Sequence, residues 1–252
     1  MLVAAVDTAT LTLSCALVEL GPSGPSLLAD RTEHSPARPP PGGPAGGHGV
    51  KLPGALKDLL VAADLKLPDI EAYAVGLGPG SFTGLRIGLA TWKGLAYANR
   101  RPIAGASSLA AMAAQAAEHA AAGALLVPLL DARKGEVYAG FYRAAAGRVE
   151  AVHPEAALAP TALLDRLAGL GAAVGFGEGY QAFRVELAAA LPPLAGGPAT
   201  PSAFQVAALA APRLHGAPFD QKALSALEPH YVRASEAEVK FPHGLGPGAA
   251  TA

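Results

Sequence analysis

Leu2–Val6 is an unbroken apolar run, and Thr10–Leu20 (TLTLSCALVEL) is dense in β-formers, so the chain opens on two strands. Pro22-Ser23-Gly24-Pro25 is a turn, and Ser26–Thr32 supplies a third strand of an antiparallel meander. Leu52, Leu56, Leu59 and Leu60 recur at helical spacing, which predicts a helix over 51–63 with Pro53 in its first turn. Ala72–Leu77 reads as a short buried strand. Gly78-Pro79-Gly80-Ser81 turns the chain, Ser81 is placed to cap a helix running to about Asn99, and Arg101-Pro102 breaks it. The stretch from Ala106 to Leu130 is a helix followed by a strand. Leu125–Leu130 and Glu136–Arg143 form a hairpin through Asp131–Gly135. Helices are expected at about 161–169, 179–190 and 202–214, with a strand at 172–176. Meandering strands followed by alternating strands and helices, twice over, predict two similar α/β lobes. The boundaries expected are 1–103 for the first lobe and 104–235 for the second. Pro/Gly-dense residues 35–49 read as an exposed mobile loop and 236–252 as a flexible tail.

Composition narrows the classes. The chain has 252 residues, 51% hydrophobic and 15% charged, so it can bury a large core. Lys and Arg number 19 against 20 Asp and Glu, and neither half is basic. Unaided grip on nucleic acid needs a basic excess and is not expected. The 106–130 stretch is mostly alanine and is interrupted by Gln115, Glu118, His119 and Pro128, which argues against a membrane span. With one cysteine, Cys15, the chain cannot close an internal disulfide or build a cysteine zinc site. A cytoplasmic protein without a signal peptide is the expectation.

The run Gly76–Gly94 (GLGPGSFTGLRIGLATWKG) is the most informative. Its Gly-rich turn at a helix start can hold an anion, or it can simply fit a tight strand-to-helix turn. It lacks the Gly-Lys-Ser/Thr closure of a P-loop. In the helix, Leu85, Leu89, Trp92 and Ala96 share a face, Ile87 and Leu95 lie on others, and Gly84 and Gly88 sit four apart. Such a helix is either wedged inside its own domain or pressed against another subunit whose backbone comes close at the glycines. Asp7-Thr8-Ala9-Thr10 at a strand end can hold a metal or phosphate, or cap a turn. No two histidines lie three to five apart, and no G-x-S-x-G is present, so a helical metal pair and a nucleophile elbow are both missing.

GLGPGSFTGLRIGLATWKGLA (76–96) closely resembles the signature of the bacterial TsaB, or YeaZ, family. VDTAT (6–10), LLDARKGEVYAGFY (129–142) and EPHYVR (228–233) are similar to its other landmarks, in the same order. The resemblance implies a two-lobed actin/hexokinase-like fold with an RNase H-like mixed sheet in each lobe. It implies a non-catalytic subunit in the synthesis of threonylcarbamoyladenosine in tRNA, paired with the catalytic paralogue TsaD. The ATPase subunit TsaE would bind the pair, a homodimer would form when the chain is alone, and tRNA would be met only through the complex. TsaD-like proteins carry a His-x-x-x-His metal motif where this chain has Ser108 and Met112, and a glycine-rich phosphate loop where it has Asp131-Ala132-Arg133-Lys134. Both differences point to a pseudoenzyme with no metal and no cofactor.

The expected partner interface is therefore Leu52, Leu56, Leu59, Leu60, Gly84, Leu85, Gly88, Leu89 and Trp92. The vestigial nucleotide-site candidates are Asp7, Thr8, Gly78, Gly80, Ser81 and Thr83. Two alternatives stand beside this reading. One is an active ATP-dependent phosphotransferase of the same superfold using Asp7, Thr8 and the Gly78–Ser81 turn; the weaker one is a peptidase.

Overall fold

The computed structural model describes residues 1–35, 48–145 and 148–233. Most of the expected Pro/Gly loop and all of the expected tail lie outside the described residues. The chain begins with β1 (Leu2–Asp7), β2 (Thr12–Gly21) and β3 (Gly24–His34). Next come α1 (His48–Ala62), β4 (Ala72–Gly76), α2 (Phe82–Asn99) and β5 (Ile103–Ala106). Then follow α3 (Ser108–Ala116), β6 (Leu125–Arg133), β7 (Glu136–Ala145), β8 (Arg148–Leu158) and α4 (Pro160–Leu167). The last elements are β9 (Ala173–Phe176), α5 (Glu178–Ala182), α6 (Arg184–Leu187), α7 (Ala203–Leu214) and α8 (Gln221–Ala226).

Two sheets result, ordered β3-β2-β1-β4-β5 and β8-β7-β6-β9. In the first, β1 pairs antiparallel with β2 and parallel with β4, and β5 adds parallel to β4. The second repeats the same pairing sense, with β6 antiparallel to β7 and parallel to β9. This is an RNase H-like mixed sheet in each of two lobes, the actin/hexokinase-like fold. A fifth strand in the second sheet is reduced, among the described residues, to one parallel bridge from Gly175 to Pro193. The cause is local: Pro192-Pro193 brings no N–H to continue a ladder.

Period-two alternation decides which side chains face which helices. Ala4 and Val6 of β1 pack with Leu52, Leu56, Leu59 and Trp92 from α1 and α2, whereas Val3 and Ala5 pack with Val206, Ala207 and Ala210 of α7. In the second sheet, Leu126 and Leu130 meet Leu109, Met112 and Ala116 of α3, and Leu125, Val127 and Leu129 meet helices α4 to α6. With α3 also against α7, the layers run helix, sheet, helix pair, sheet, helix. The first sheet's inner layer, α7, thus comes from late in the chain.

Some elements differ from the sequence expectation. α1 starts at His48, so Pro53 stands inside the helix rather than in its first turn and forgoes one backbone bond. The helix expected over 179–190 is two short ones separated at Phe183. β5, β8 and α8 carry little pattern. β8 is a polar edge strand containing Pro154, a residue tolerated there because one side of an edge strand makes no ladder.

Candidate functional site

The C-terminal ends of β1 and β4 and the start of α3 converge. Asp7 ends β1 with its side chain buried. Its Oδ1 accepts from the Ala9 backbone N–H at 2.9 Å and its Oδ2 from Ser108 Oγ at 2.6 Å. Ser108 Oγ also accepts the Gly78 N–H at 3.2 Å. Burial pushes the Asp7 carboxyl up to about 6, against the lowering effect of those two hydrogen bonds. Gly76 leaves the carboxylate its room, since a Cβ there would lie 1.9 Å from Asp7 Oδ2.

Thr8 is fully buried and donates from Oγ1 to the Gly84 carbonyl at 2.9 Å. A Cβ at Gly84 would meet Thr8 O at 2.2 Å, and one at Gly88 would meet Thr8 Oγ1 at 2.3 Å. What approaches the two glycines is therefore this chain's own Thr8, in the turn after β1, by its backbone at Gly84 and by its side chain at Gly88. Gly80 packs on Ala9 in the same way. Ser81 caps α2 as expected, accepting the Gly84 N–H at 3.2 Å, and Thr83 is exposed in the first turn.

The structure thus gathers Asp7, Thr8, Gly78, Gly80 and Ser81 around one turn, and its polar groups are engaged with each other. Ser108 and Met112, the two places that the resemblance set against a metal motif, do not face a common point of solvent. Ser108 is bonded to Asp7, and Met112 is buried among Leu109, Leu126 and Phe176. Among the described residues no group of three or more His, Cys, Asp or Glu is arranged to hold a metal ion. Asp131–Lys134 forms the β6–β7 tip, where Arg133, Lys134 and Gly135 take positive φ and Arg133 pairs with Asp131 at 3.0 Å. A second Gly-rich turn, GFGEGY (175–180), joins β9 to α5 as GLGPGS (76–81) joins β4 to α2. A Cβ at Gly177 would meet Leu129 O at 2.2 Å. The shared G-x-G-x-G spacing was the sequence signal for it.

The nine expected interface residues are all buried within the chain, Trp92 completely. Trp92 donates from Nε1 to the Ala4 carbonyl at 2.9 Å and meets the Tyr73 ring edge-on at 6.3 Å. Leu85 is packed inward beside Ala9 and Leu109. These side chains serve the chain's own core first. Between α1 and α2, however, runs an open apolar cleft of about 670 Å³. Leu56, Leu60 and Trp92 contribute to its floor, and Val61, Gly94 and Leu95 to its lip. Val61 is 72% exposed.

A group that sequence reasoning missed lies between the lobes. Glu155 of β8 accepts from Ser107 and from the Tyr142 hydroxyl, and its other oxygen is 3.1 Å from His230 Nδ1. Glu155 holds the His230 imidazole above its usual range, against partial burial. Burial, then the charge of Glu155, raise the Tyr142 phenol. The His230 N–H donates to Leu77 O at 2.7 Å. Tyr231 stacks near Phe82 at 5.3 Å and accepts from Arg86 Nε at 3.1 Å. Arg233 reaches Glu136 at 2.5 Å and the Ala132 carbonyl at 2.9 Å. Residues 228–233 form a strap from the β4–α2 region to the β6–β7 tip. The motif EPHYVR marks it, but nothing in its spacing showed a span between lobes.

The family described as TsaD, tRNA N6-adenosine threonylcarbamoyltransferase, matches residues 41–241. The chain is 34% identical over 185 residues to the tRNA threonylcarbamoyladenosine biosynthesis protein TsaB of Escherichia coli (strain K12), covering 73% of this chain and 74% of that one. It is 38% identical over 108 residues to the protein of the same name from Bacillus subtilis (strain 168), covering 43% and 46%. YeaZ from Pseudomonas aeruginosa superposes with a TM-score of 0.71 at 28% identity, covering 92% of this chain and 100% of that one. The fold is thus that of a two-lobed actin/hexokinase-like protein in which both carboxylate oxygens of Asp7 are engaged within the chain. Within that class, the chain belongs to the TsaB (YeaZ) family.

Proposed function

We propose that this chain is a non-catalytic partner subunit in tRNA threonylcarbamoyladenosine biosynthesis, docking TsaD through the cleft between α1 and α2. The names of its relatives supply the pathway. The observation that carries the docking is the cleft itself. It is apolar, and one of its lining residues, Gly94 of α2, is exposed with open space where a side chain would be. An exposed glycine inside a helix costs about 0.5–1 kcal/mol relative to alanine. That cost is offset where a partner's backbone comes close. Lys57 and Lys66 are the charged lining residues, so the partner's rim is expected to be acidic. In this reading the same face carries the homodimer when TsaD is absent, TsaE joins the pair, and tRNA is met through the complex in the cytoplasm.

The pairing inside the old site supports the non-catalytic role. A nucleotide-handling carboxylate needs a free oxygen for a metal or a water, whereas both oxygens of Asp7 are engaged and buried. A phosphotransferase reading requires opening this turn. A peptidase reading requires a histidine between a serine and an acid. Here Glu155 stands between Ser107 and His230 instead.

Substitution on the cleft's lip tests the docking. Val61→Glu and Gly94→Glu add a charge on exposed positions, so the fold is expected to survive, while co-purification with TsaD falls at least tenfold. Folded variants that still co-purify fully would place the partner elsewhere. Heat on titration of the isolated chain with Mg-ATP, with turnover of a small phosphoryl acceptor, would favour the phosphotransferase.

A further inference from the structure

Four exposed residues of α2, Phe82, Arg86, Ala90 and Gly94, follow one another at intervals of four. They form one i, i+4 ridge, the kind of ridge that a helix sets into the groove of another helix. Ala90 and Gly94 line the apolar cleft, so the ridge leads out of the cleft toward the start of α2. At 1.5 Å per residue, Phe82 stands about 18 Å from Gly94 along the helix.

At that far end the ridge meets the strap. The Phe82 ring lies 5.3 Å from the Tyr231 ring, and both residues are 41% exposed. The Arg86 guanidinium carbon sits over the Phe82 ring at 4.1 Å, and Nε donates to the Tyr231 hydroxyl at 3.1 Å. Among the described residues no carboxylate pairs with Arg86. Three side chains that hold one another in place lose little freedom when a partner covers them. Tyrosine and arginine are also the residue types that carry much of the energy at interface centres. Arg86 has the same sign as Lys57 and Lys66 at the cleft, so an acidic partner surface would be met along the whole ridge.

We propose, resting on the docking argued above, that TsaD is held at a second point, where one of its helices covers the Phe82–Tyr231 pair and brings a carboxylate to Arg86. Tyr231 belongs to the strap between the lobes, so docking at this point reads whether the lobes are tied. By linkage, the partner favours the tied state as much as the tied state favours the partner.

The test is a titration of TsaD from the same organism with the full chain, reading the dissociation constant for the parent and for each variant. Arg86→Glu changes an exposed position, keeps the fold and should weaken binding about tenfold or more. Phe82→Ala and Tyr231→Ala should each weaken it about tenfold, whereas Tyr231→Phe, which keeps the ring, should stay within about threefold of the parent. Amide exchange at His230 is followed in the same samples, and its protection in the parent should rise when TsaD is added. Parent-like affinity in any one of Arg86→Glu, Phe82→Ala or Tyr231→Ala would overturn the second point of contact. Unchanged His230 protection would overturn its coupling to the strap. If Val61→Glu still weakens binding in that case, docking at the cleft stands by itself. Loss of affinity in the three variants with none in Val61→Glu would uphold this contact and move the partner off the cleft.

Discussion

A carboxylate without exposed surface has to find its compensation inside the protein, and Asp7 finds two hydrogen bonds and no cation. Its carboxyl is raised to about 6 in the folded protein. The folded state therefore holds the proton more tightly than the unfolded chain does. The associated stability is present at low pH and is lost as pH rises through about 6, on the order of 3 kcal/mol. Asp7→Asn should flatten this loss, so that denaturation midpoints of variant and parent diverge in the variant's favour between about pH 4 and 7. Parallel pH profiles would contradict the assignment. Neighbouring Gly88 offers a sharper packing test. Thr8 cannot retreat without giving up its bond to Gly84 O, so Gly88→Ala should destabilise by about 1–3 kcal/mol in chemical denaturation. The sequence showed that Asp7 and Thr8 end a strand. It did not show that Ser108, a hundred residues on, closes over them, because only the lobe-to-lobe path brings α3 there.

Among the elements, α2 both fills the first lobe's core and walls the apolar cleft. Its periodicity was legible, as were its cap at Ser81 and its stop, where Arg100 takes a left-handed φ of 50°. The role of each small residue was not legible. Gly84 and Gly88 have the spacing of a helix contact between subunits, yet the contact is with the chain's own Thr8. Gly94, two turns later, is the exposed one. Gly94→Ala should raise the stability of the isolated chain by about 0.5–1 kcal/mol, read from the unfolding midpoint. Trp92→Asp is not an interface variant. It buries a charge beside Tyr73 and Ala4 and should leave no folded chain to assay. Edge elements such as β8 and short ones such as α8 were hidden because a polar edge and a six-residue helix leave almost no period to read.

For the whole molecule, the question is how the lobes are held. The strap at 228–233 ties Leu77, Phe82 and Arg86 on one side to Glu155, Glu136 and Ala132 on the other. His230 is raised by Glu155, so its pairing is present below about pH 6.5, the ordinary histidine value, and is lost as pH rises through the higher folded value. Amide protection at His230, corrected for intrinsic exchange, should therefore decline with rising pH in the parent. In His230→Gln it should be low and flat. A pH-independent parent would show that the strap does not depend on this pair. The five-layer order, with α7 returning to the first sheet, could not be read from local pattern, since nothing in α7 names the sheet it covers.

The docking proposed above puts TsaD on the cleft between α1 and α2. Size-exclusion chromatography with light scattering tests it most directly, on the chain alone, on TsaD from the same organism, and on the mixture. A one-to-one species is expected in the mixture, formed at the expense of a homodimer and absent when Val61→Glu replaces the parent. Separate elution of the two proteins, with or without nucleotide, would contradict it.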